Sequence, residues 1–324
     1  MEPALKKICH TKLNLTISPQ KSWLETVGLM EISDKIDLDD LIKKSSINWD
    51  MTKYANRLSA TFWRNQKMQL EAYRALQTPG GVVTILNTRR HPWGRVFPVK
   101  MLGFTAFQKK TRNVLMGKIY SDLDIKNCHY EICRQVCESS GIPCVEISNF
   151  IDNRESIYND LTIRYGVDVS VLKGLFLRLL YLGKFEGWAI EHGILQKATS
   201  QIIKLAKELK CIAEIIYSKN PELVSYVDTL NGRNNKLATL LSYYLQEYEL
   251  RVMSSVIRYL HDETDVLDKE ETGKFCSYQY DGIQLLTKNI NAFDGGITAL
   301  LIKIENVGYM KTGLKLTWIE KSIV

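Results

Sequence analysis

The hydrophobic pattern divides the chain into short apolar runs of strand length and longer stretches of helical period. Runs at residues 82–86 and 119–125 favour strands, and alternation over Leu314–Ile319 predicts a final strand. The stretch Lys274–Leu286 predicts two strands around a tight turn at Asp281-Gly282, because Asp-Gly is a strong hairpin signal. Strands and helices that do not alternate strictly predict an α+β fold.

The longer stretches repeat apolar residues every three or four positions, which is the period of an amphipathic helix. Asn127 and Asp168 are the predicted N-caps of two of these helices. Predicted helices cover residues 52–77, 130–139, 154–165, 172–183, 199–217, 233–260 and 292–308.

Composition narrows the class of protein. The chain has 324 residues, 45% hydrophobic and 24% charged, which is ordinary for a folded domain and leaves room for a sizeable core. No apolar run approaches the roughly 20 residues that span a bilayer, and the N-terminus lacks the apolar core of a signal peptide. We therefore expect a soluble, intracellular protein without a membrane partner. The net charge of +7 slightly favours the binding of polyanions such as nucleic acid.

Seven scattered cysteines include no Cys-x2-Cys pair, which disfavours a zinc site. Cys133 and Cys137 lie one helical turn apart and are predicted to be buried free thiols.

Acidic residues mark two strand ends. Asp122 and Asp124 close the strand that precedes Asn127, and Asp281 lies at the predicted hairpin tip. Hard cations prefer carboxylate oxygens. Two carboxylates from separate strands can hold two metal ions, which clamp the attacking and leaving oxygens of a phosphoryl displacement.

Lys173 and Tyr181 are eight residues apart and therefore share one face of a predicted helix. A lysine there can neutralise a triphosphate. Taken singly, Lys173 fits a solvated charge, Tyr181 a core residue and Asp281 a plain hairpin residue. Only their order, spacing and type together favour a site.

Basic residues cluster ahead of the acidic strand and surround one aromatic residue, a pattern that suits stacked bases beside phosphates. The alternative is an ordinary solvated surface, as it is for the basic face of the predicted helix 52–77. The candidate nucleic-acid contacts are Arg89, Arg90, Trp93, Arg95, Lys109, Lys110 and Arg112.

Three segments resemble motifs A, B and C of the family A DNA polymerases, and most of all the compact branch carried by transposons, virophages and other viruses. They are Asp122-Leu-Asp-Ile-Lys-Asn-Cys-His129, Lys173-Gly-Leu-Phe-Leu-Arg-Leu-Leu-Tyr-Leu-Gly183 and Tyr278-Gln-Tyr-Asp-Gly-Ile283. The resemblance covers roughly residues 90–320. It departs from the family at Gly282, where the wider family has a second acidic residue, and at Leu182, where it has a glycine.

The resemblance implies a right-hand polymerase without a proofreading exonuclease. Its palm would be an antiparallel sheet, with helical fingers and a small N-terminal helical region. The implied divisions are residues 1–90 for the N-terminal region, 91–149 and 233–324 for the palm, and 150–232 for the fingers. The implied partners are a nucleic-acid primer-template and nucleoside triphosphates.

The resemblance also assigns roles to residues. Asp124 and Asp281 would hold two Mg²⁺ ions, with Mn²⁺ as a second candidate ion, and Ile125 and Asp122 are further candidate ligands. Lys173 would contact the triphosphate and Tyr181 the nascent base pair. His129 stands where the wider family has a glutamate that excludes ribonucleotides; the alternative is a histidine that caps the helix or bonds a neighbouring carboxylate.

Arg178, five residues from Lys173, is a further candidate contact of the nucleotide or the template. Three alternatives stay open: a primase-like polymerase that makes RNA, a metal-dependent nuclease, and a non-catalytic nucleic-acid-binding module.

Overall fold

The computed structural model describes residues 13, 15–19, 29–32, 75, 82–85, 87–89, 91–98, 105, 107, 112, 120–267 and 276–321. Helices predominate in the described part of the chain, and the strands form small antiparallel sheets, so the fold is mixed α+β as predicted. Among these residues, no helix is long and apolar enough to cross a membrane.

A four-stranded antiparallel sheet lies at the centre, with the strand order β6-β7-β5-β8. Its strands are β5 (Tyr120–Ile125), β6 (Cys276–Tyr278), β7 (Gly282–Leu286) and β8 (Trp318–Lys321). Two further antiparallel pairs join β1 (Leu29–Ile32) to β2 (Val82–Ile85) and β3 (Asn87–Thr88) to β4 (Phe97–Pro98).

The helices are α1 (Cys128–Ser139), α2 (Val145–Asp152), α3 (Arg154–Tyr165), α4 (Val169–Leu180), α5 (Phe185–Glu191), α6 (Ser200–Lys219), α7 (Pro221–Asp228), α8 (Lys236–Asp262), α9 (Thr287–Ala292) and α10 (Gly296–Thr312). Two of them begin at a side-chain cap. Thr199 accepts a hydrogen bond from the amide of Ile202, and Asn235 accepts one from that of Ala238.

Helix α8 is the main support of the core. It is 27 residues long and packs against α1, α6, α7 and α10. Its buried side chains join one apolar cluster that extends to the central sheet and to α4. The division of the chain into four parts stays a prediction.

Most predicted elements of the described region match the structure in type, and several details differ. The final strand is Trp318–Lys321, later than the predicted Leu314–Ile319. Pro221 does not merely end α6 but begins α7, because proline fits the first helical position. The predicted helix 52–77 lies outside the described residues except for Ala75.

The hairpin turn also differs from the prediction. Tyr280, with φ of 70°, takes the left-handed conformation, and Gln279 donates a 2.9 Å backbone hydrogen bond to the carbonyl of Gly282. Gly282 is already the first residue of β7. A Cβ atom there would lie 2.6 Å from the carbonyl oxygen of Leu123 and 2.9 Å from Asp124 Oδ1. This glycine therefore serves the close approach of β7 to β5, not the turn.

We expect Gly282→Ala to lower the free energy of unfolding by roughly 1–3 kcal/mol, because the new methyl group pushes β7 off β5. Gly174→Ala is the matched control, since a Cβ atom on Gly174 in α4 meets nothing within 4 Å. That control should raise the stability by roughly 0.5–1 kcal/mol. Urea denaturation of both variants measures the difference, and equal effects would contradict the steric account.

Candidate functional site

The pairing of β5 with β7 brings Asp124 and Asp281 to one end of the central sheet. Asp124 is opposite Gly282 in the register, and the amide of Ile125 donates a 3.0 Å hydrogen bond to the carbonyl of Asp281. Asp124 is 9% exposed. Burial raises the pKa of Asp124 to about 7, and the Asp281 carboxylate adds to this rise. Burial also raises the pKa of Asp281, with Glu249 adding to it.

One cation already touches this carboxylate pair. The ammonium of Lys321, from β8, forms an ion pair with Asp124 Oδ2 and opposes the rise in the pKa of Asp124. Asp122 lies on the same face of β5 as Asp124, because the two are two residues apart in the strand. Its side chain is half-buried. Ile125 has a buried hydrocarbon side chain and offers only its backbone carbonyl to a ligand.

The acidic pair fits a divalent ion. Its donors are carboxylate oxygens, which Mg²⁺ and Mn²⁺ prefer. The raised pKa values show that two ionised carboxylates are costly here without positive charge, and a bound cation relieves that cost.

Aromatic packing fixes α4 against α1. The hydroxyl of Tyr130 donates a 2.8 Å hydrogen bond to the carbonyl of Phe176, and Phe176 stacks on Phe150 at 4.2 Å between ring centroids. Tyr158 packs edge-on against Phe176. These contacts fix α4 relative to the end of β5, with Lys173 in the second turn of the helix and Tyr181 directly after its last residue. Tyr181 thus lies beyond the helix that the sequence predicted to extend to residue 183.

A basic pocket of about 440 Å³ adjoins the end of β5. Lys126, Arg154 and Lys173 line it from three different elements, together with the acidic residues Asp152 and Glu155. Among the described residues, neither Lys126 nor Lys173 forms an ion pair. The pocket therefore carries a net positive charge. Lys126, one of its lining residues, follows Asp124 by two residues in the chain.

Asn127 links this pocket to the strand end. It precedes α1 as predicted, but in the left-handed conformation and without a side-chain capping bond. Its Oδ1 instead accepts a hydrogen bond from Nη1 of Arg154. The guanidinium of Arg154 also lies over the ring of Tyr158, with 5.1 Å between Cζ and the ring centroid. Asn127 therefore occupies the predicted N-cap position, but its side chain orients a pocket arginine and makes no capping bond.

A second, buried network joins α8, α1 and α4 behind the acidic pair. The Glu249 carboxylate accepts two hydrogen bonds from Arg95, at 2.7 Å and 2.6 Å. Its Oε2 also lies 2.8 Å from Nε2 of His129, while Nδ1 of His129 contacts the hydroxyl of Tyr181. Burial alone raises the pKa of Glu249, but Arg95 and His129 more than offset it and lower that pKa to about 2. Burial raises the pKa of Tyr181.

Ligand atoms of Cys128, His129 and Glu249 lie within 4.8 Å of one another, yet this cluster does not suit a cation. Both oxygens of Glu249 are occupied by the positive charge of Arg95. A cation there would have to displace the guanidinium of Arg95.

The predicted nucleic-acid contacts fall into different environments. Arg89 forms a bidentate pair with Glu247, at 3.0 Å and 3.1 Å, and Arg95 pairs with Glu249, so both guanidinium groups already neutralise buried carboxylates. Trp93 is 3% exposed within the core, which leaves no ring face for base stacking. Arg112 is half-buried. Arg90, Lys109 and Lys110 lie outside the described residues.

Arg178 lies on another face of α4 from the basic pocket. Its Nη2 contacts both oxygens of Glu191 in α5, at 2.7 Å and 2.6 Å. It is therefore engaged in holding α5 against α4.

Sequence reasoning missed Glu247 and Glu249. Charged residues in an amphipathic helix usually face water, but both of these are fully buried. The one signal was their setting, since the two glutamates lie among Leu245, Tyr248, Leu250 and Val252.

We expect the stability of the protein in EDTA to fall as the pH rises from about 4 to about 7. In this window the native Asp124 carboxyl keeps a proton that the unfolded chain, with an ordinary pKa of 3.8, has lost. Thermal melts across the window measure the slope. Asp124→Asn should reduce the slope but not abolish it, because the pKa of Asp281 is also raised; Asp122→Asn should change the slope less, because Asp122 adds only a small part of the rise in the pKa of Asp124. An unchanged slope in Asp124→Asn would contradict the assignment.

Comparison with known proteins yields one distant similarity. No protein-family model matches the chain. Over 233 residues, 70% of this chain, the sequence is 26% identical to the protein named "Putative helicase V13" of Sputnik virophage. The match covers 28% of that relative, so the chain spans little more than a quarter of its length.

Proposed function

We propose that the chain is a template-directed nucleotidyl transferase, a DNA polymerase that extends a primer with deoxyribonucleoside triphosphates. One observation carries the proposal: the Asp124 carboxylate at the end of β5 and the half-buried Asp281 carboxylate in the turn before β7 stand beside a pocket of net positive charge. Carboxylates that suit divalent ions and cations that suit phosphates are the two requirements of phosphoryl transfer. The proposal assigns the central sheet to the palm and α3 to α7 to the fingers.

The residues of the chain supply mainly position and charge. Asp124 and Asp281, with Asp122 and the Ile125 carbonyl as further candidate ligands, would hold two Mg²⁺ ions. When bound, these ions stabilise negative charge on the attacking and leaving oxygens. Lys173 holds the triphosphate, and Arg154, oriented by Asn127, adds a second cation. Fixed charges of this kind lower a barrier because they need no reorganisation during the reaction.

The distant similarity adds a viral, nucleic-acid setting to this proposal. The relative is named as a helicase, and the match covers only part of it. The present sequence contains no Gly-x4-Gly-Lys-Ser/Thr run, the phosphate-binding loop of P-loop motors. We therefore place polymerase chemistry, not unwinding, in this segment.

The alternatives make different demands on the site. A nuclease needs the carboxylates but has no use for Lys173 and Tyr181, and a non-catalytic module needs neither. A polymerase that makes RNA uses every element of the site and differs only in the sugar it accepts. Primer extension with each set of nucleotides separates these possibilities.

We expect Lys173→Ala to weaken nucleotide binding and slow extension together, by about ten- to a hundredfold. The loss of one charge-assisted contact, worth roughly 1.5–3 kcal/mol, has this effect. Steady-state primer extension measures it. Lys303→Ala, which removes an exposed lysine from α10, is the control and should extend primers normally.

We expect Asp281→Asn to abolish extension, because one of the two carboxylates that bind metal is lost. Circular dichroism and thermal melts establish that the variant is folded. Full activity in this variant would refute the metal-site assignment.

The sugar preference is assigned to His129, and His129→Ala tests it. Removing the ring should raise the use of ribonucleotides relative to deoxyribonucleotides by roughly tenfold or more, because a 2′-hydroxyl then finds room. Both nucleotide types are compared on one primer and template. A constant ratio, or an unaltered protein that already prefers ribonucleotides, would favour a primase-like role.

A further inference from the structure

Glu249 has an unusual position for a side chain without a proposed role in chemistry. Its carboxylate is fully buried, at 0% exposure, and lies where α8 meets both α1 and the loop that carries Arg95. It is the only group in this network that touches both Arg95 and His129 among the described residues. Both partners contact the same oxygen of Glu249. Oε2 accepts a hydrogen bond from Nη2 of Arg95 and lies 2.8 Å from Nε2 of His129.

This contact sets the state of the histidine ring. Nε2 of His129 lies 2.8 Å from Oε2 of Glu249 without the alignment of a regular hydrogen bond. An ionised carboxylate has no hydrogen to donate and would repel a bare ring lone pair at this distance, so Nε2 carries the hydrogen. In the neutral ring, Nδ1 is then the acceptor for the hydroxyl of Tyr181. Glu249 thus determines both the tautomer of His129 and the direction of the hydrogen bond that reaches Tyr181, which lies edge-on to the ring.

We propose that Glu249 is a positioning residue that holds His129 and Tyr181 in place and thereby sets the discrimination between deoxyribonucleoside and ribonucleoside triphosphates. The inference rests on the proposed function, because it concerns the sugar end of the same nucleotide site. Glu249 touches no substrate in this account and acts only through His129.

If Glu249 had only a structural role, replacing it would have the same effect as replacing another buried glutamate of the same kind. The chain contains such a glutamate as a control. Glu247, two residues earlier in α8, is equally buried and forms the equivalent bidentate pair with Arg89. It also contacts the amide of Gly94, at 3.2 Å, and Arg251, at 3.9 Å, which are not residues of the nucleotide site. Glu247→Gln therefore breaks an arginine pair of the same kind and leaves the histidine contact intact.

The experiment compares Glu249→Gln with Glu247→Gln by single-nucleotide primer extension, using a deoxyribonucleotide and its ribonucleotide counterpart. We expect Glu249→Gln to lower the preference for the deoxyribonucleotide by about tenfold and Glu247→Gln to leave it unchanged. In a His129→Ala background, Glu249→Gln should add nothing, because the ring through which it acts is gone. Equal ratios in the two glutamine variants, or additive effects in the double variant, would overturn the inference.

A second readout does not depend on catalysis. Ring ¹⁵N shifts, assigned by the signal lost in His129→Ala, should show Nε2 protonated in the unaltered protein and a changed pattern in Glu249→Gln only. If Glu249→Gln melts below the assay temperature, Glu249→Asp replaces it. The aspartate side chain is shorter by one methylene group, which moves the carboxylate away from His129, and we expect the same fall in the preference for the deoxyribonucleotide. An unaltered protein that extends no primer refutes the proposed function. A protein that extends primers with an unchanged ratio in the Glu249 variants refutes only this inference.

Discussion

The close contact between β7 and β5 determines the geometry of the candidate site. Gly282 allows the two backbones to approach so nearly that a single methyl group would collide with Leu123 and Asp124. This approach places Asp281 beside Asp124, where burial and neighbouring negative charge make both carboxylates hard to ionise. The absence of a second acidic side chain at position 282 therefore has a steric benefit, since a larger residue would separate the pair that remains.

Behind this pair, the structure relies on buried charge. Two arginines of one loop reach two glutamates of one helix, and each pair is bidentate. Breaking a buried pair leaves an uncompensated charge, which typically costs about 3–5 kcal/mol. The pairs thus fix where the loop lies on α8. Arg95 also lies over the ring of Tyr280, with 4.4 Å between Cζ and the ring centroid, so the loop is tied to the hairpin of Asp281.

Local sequence signals predicted much of the described fold. The strand at Tyr120–Ile125 and the helices over α1, α3, α4, α6 and α8 follow from periodicity, because these segments have one strongly apolar face. The positions of Asp124 and Asp281 at strand ends follow from the same pattern. The roles of Lys173, Tyr181 and His129 came from the resemblance to a polymerase family and remain predictions.

What the sequence did not reveal are contacts between distant segments. Arg89, Trp93 and Arg95 look like an exposed basic surface with an aromatic residue, whereas two of them pair with glutamates and one is in the core. Periodicity describes which face of an element is apolar, but it does not say which charges meet across the fold. The same limit applies to Gly282, whose role depends on a strand more than a hundred residues away in the chain.

The central strand receives its partners late in synthesis. β5 leaves the ribosome before all of the helices described here, whereas β7 and β8, which cover its two edges, are among the last elements to emerge. A nascent chain thus carries a strand with two open edges, a known hazard for intermolecular pairing. The earlier strands and the helices made in the meantime are the parts of the described fold available to shelter it. The acidic pair consequently cannot form until β7 has emerged, after α1 to α8 have been made.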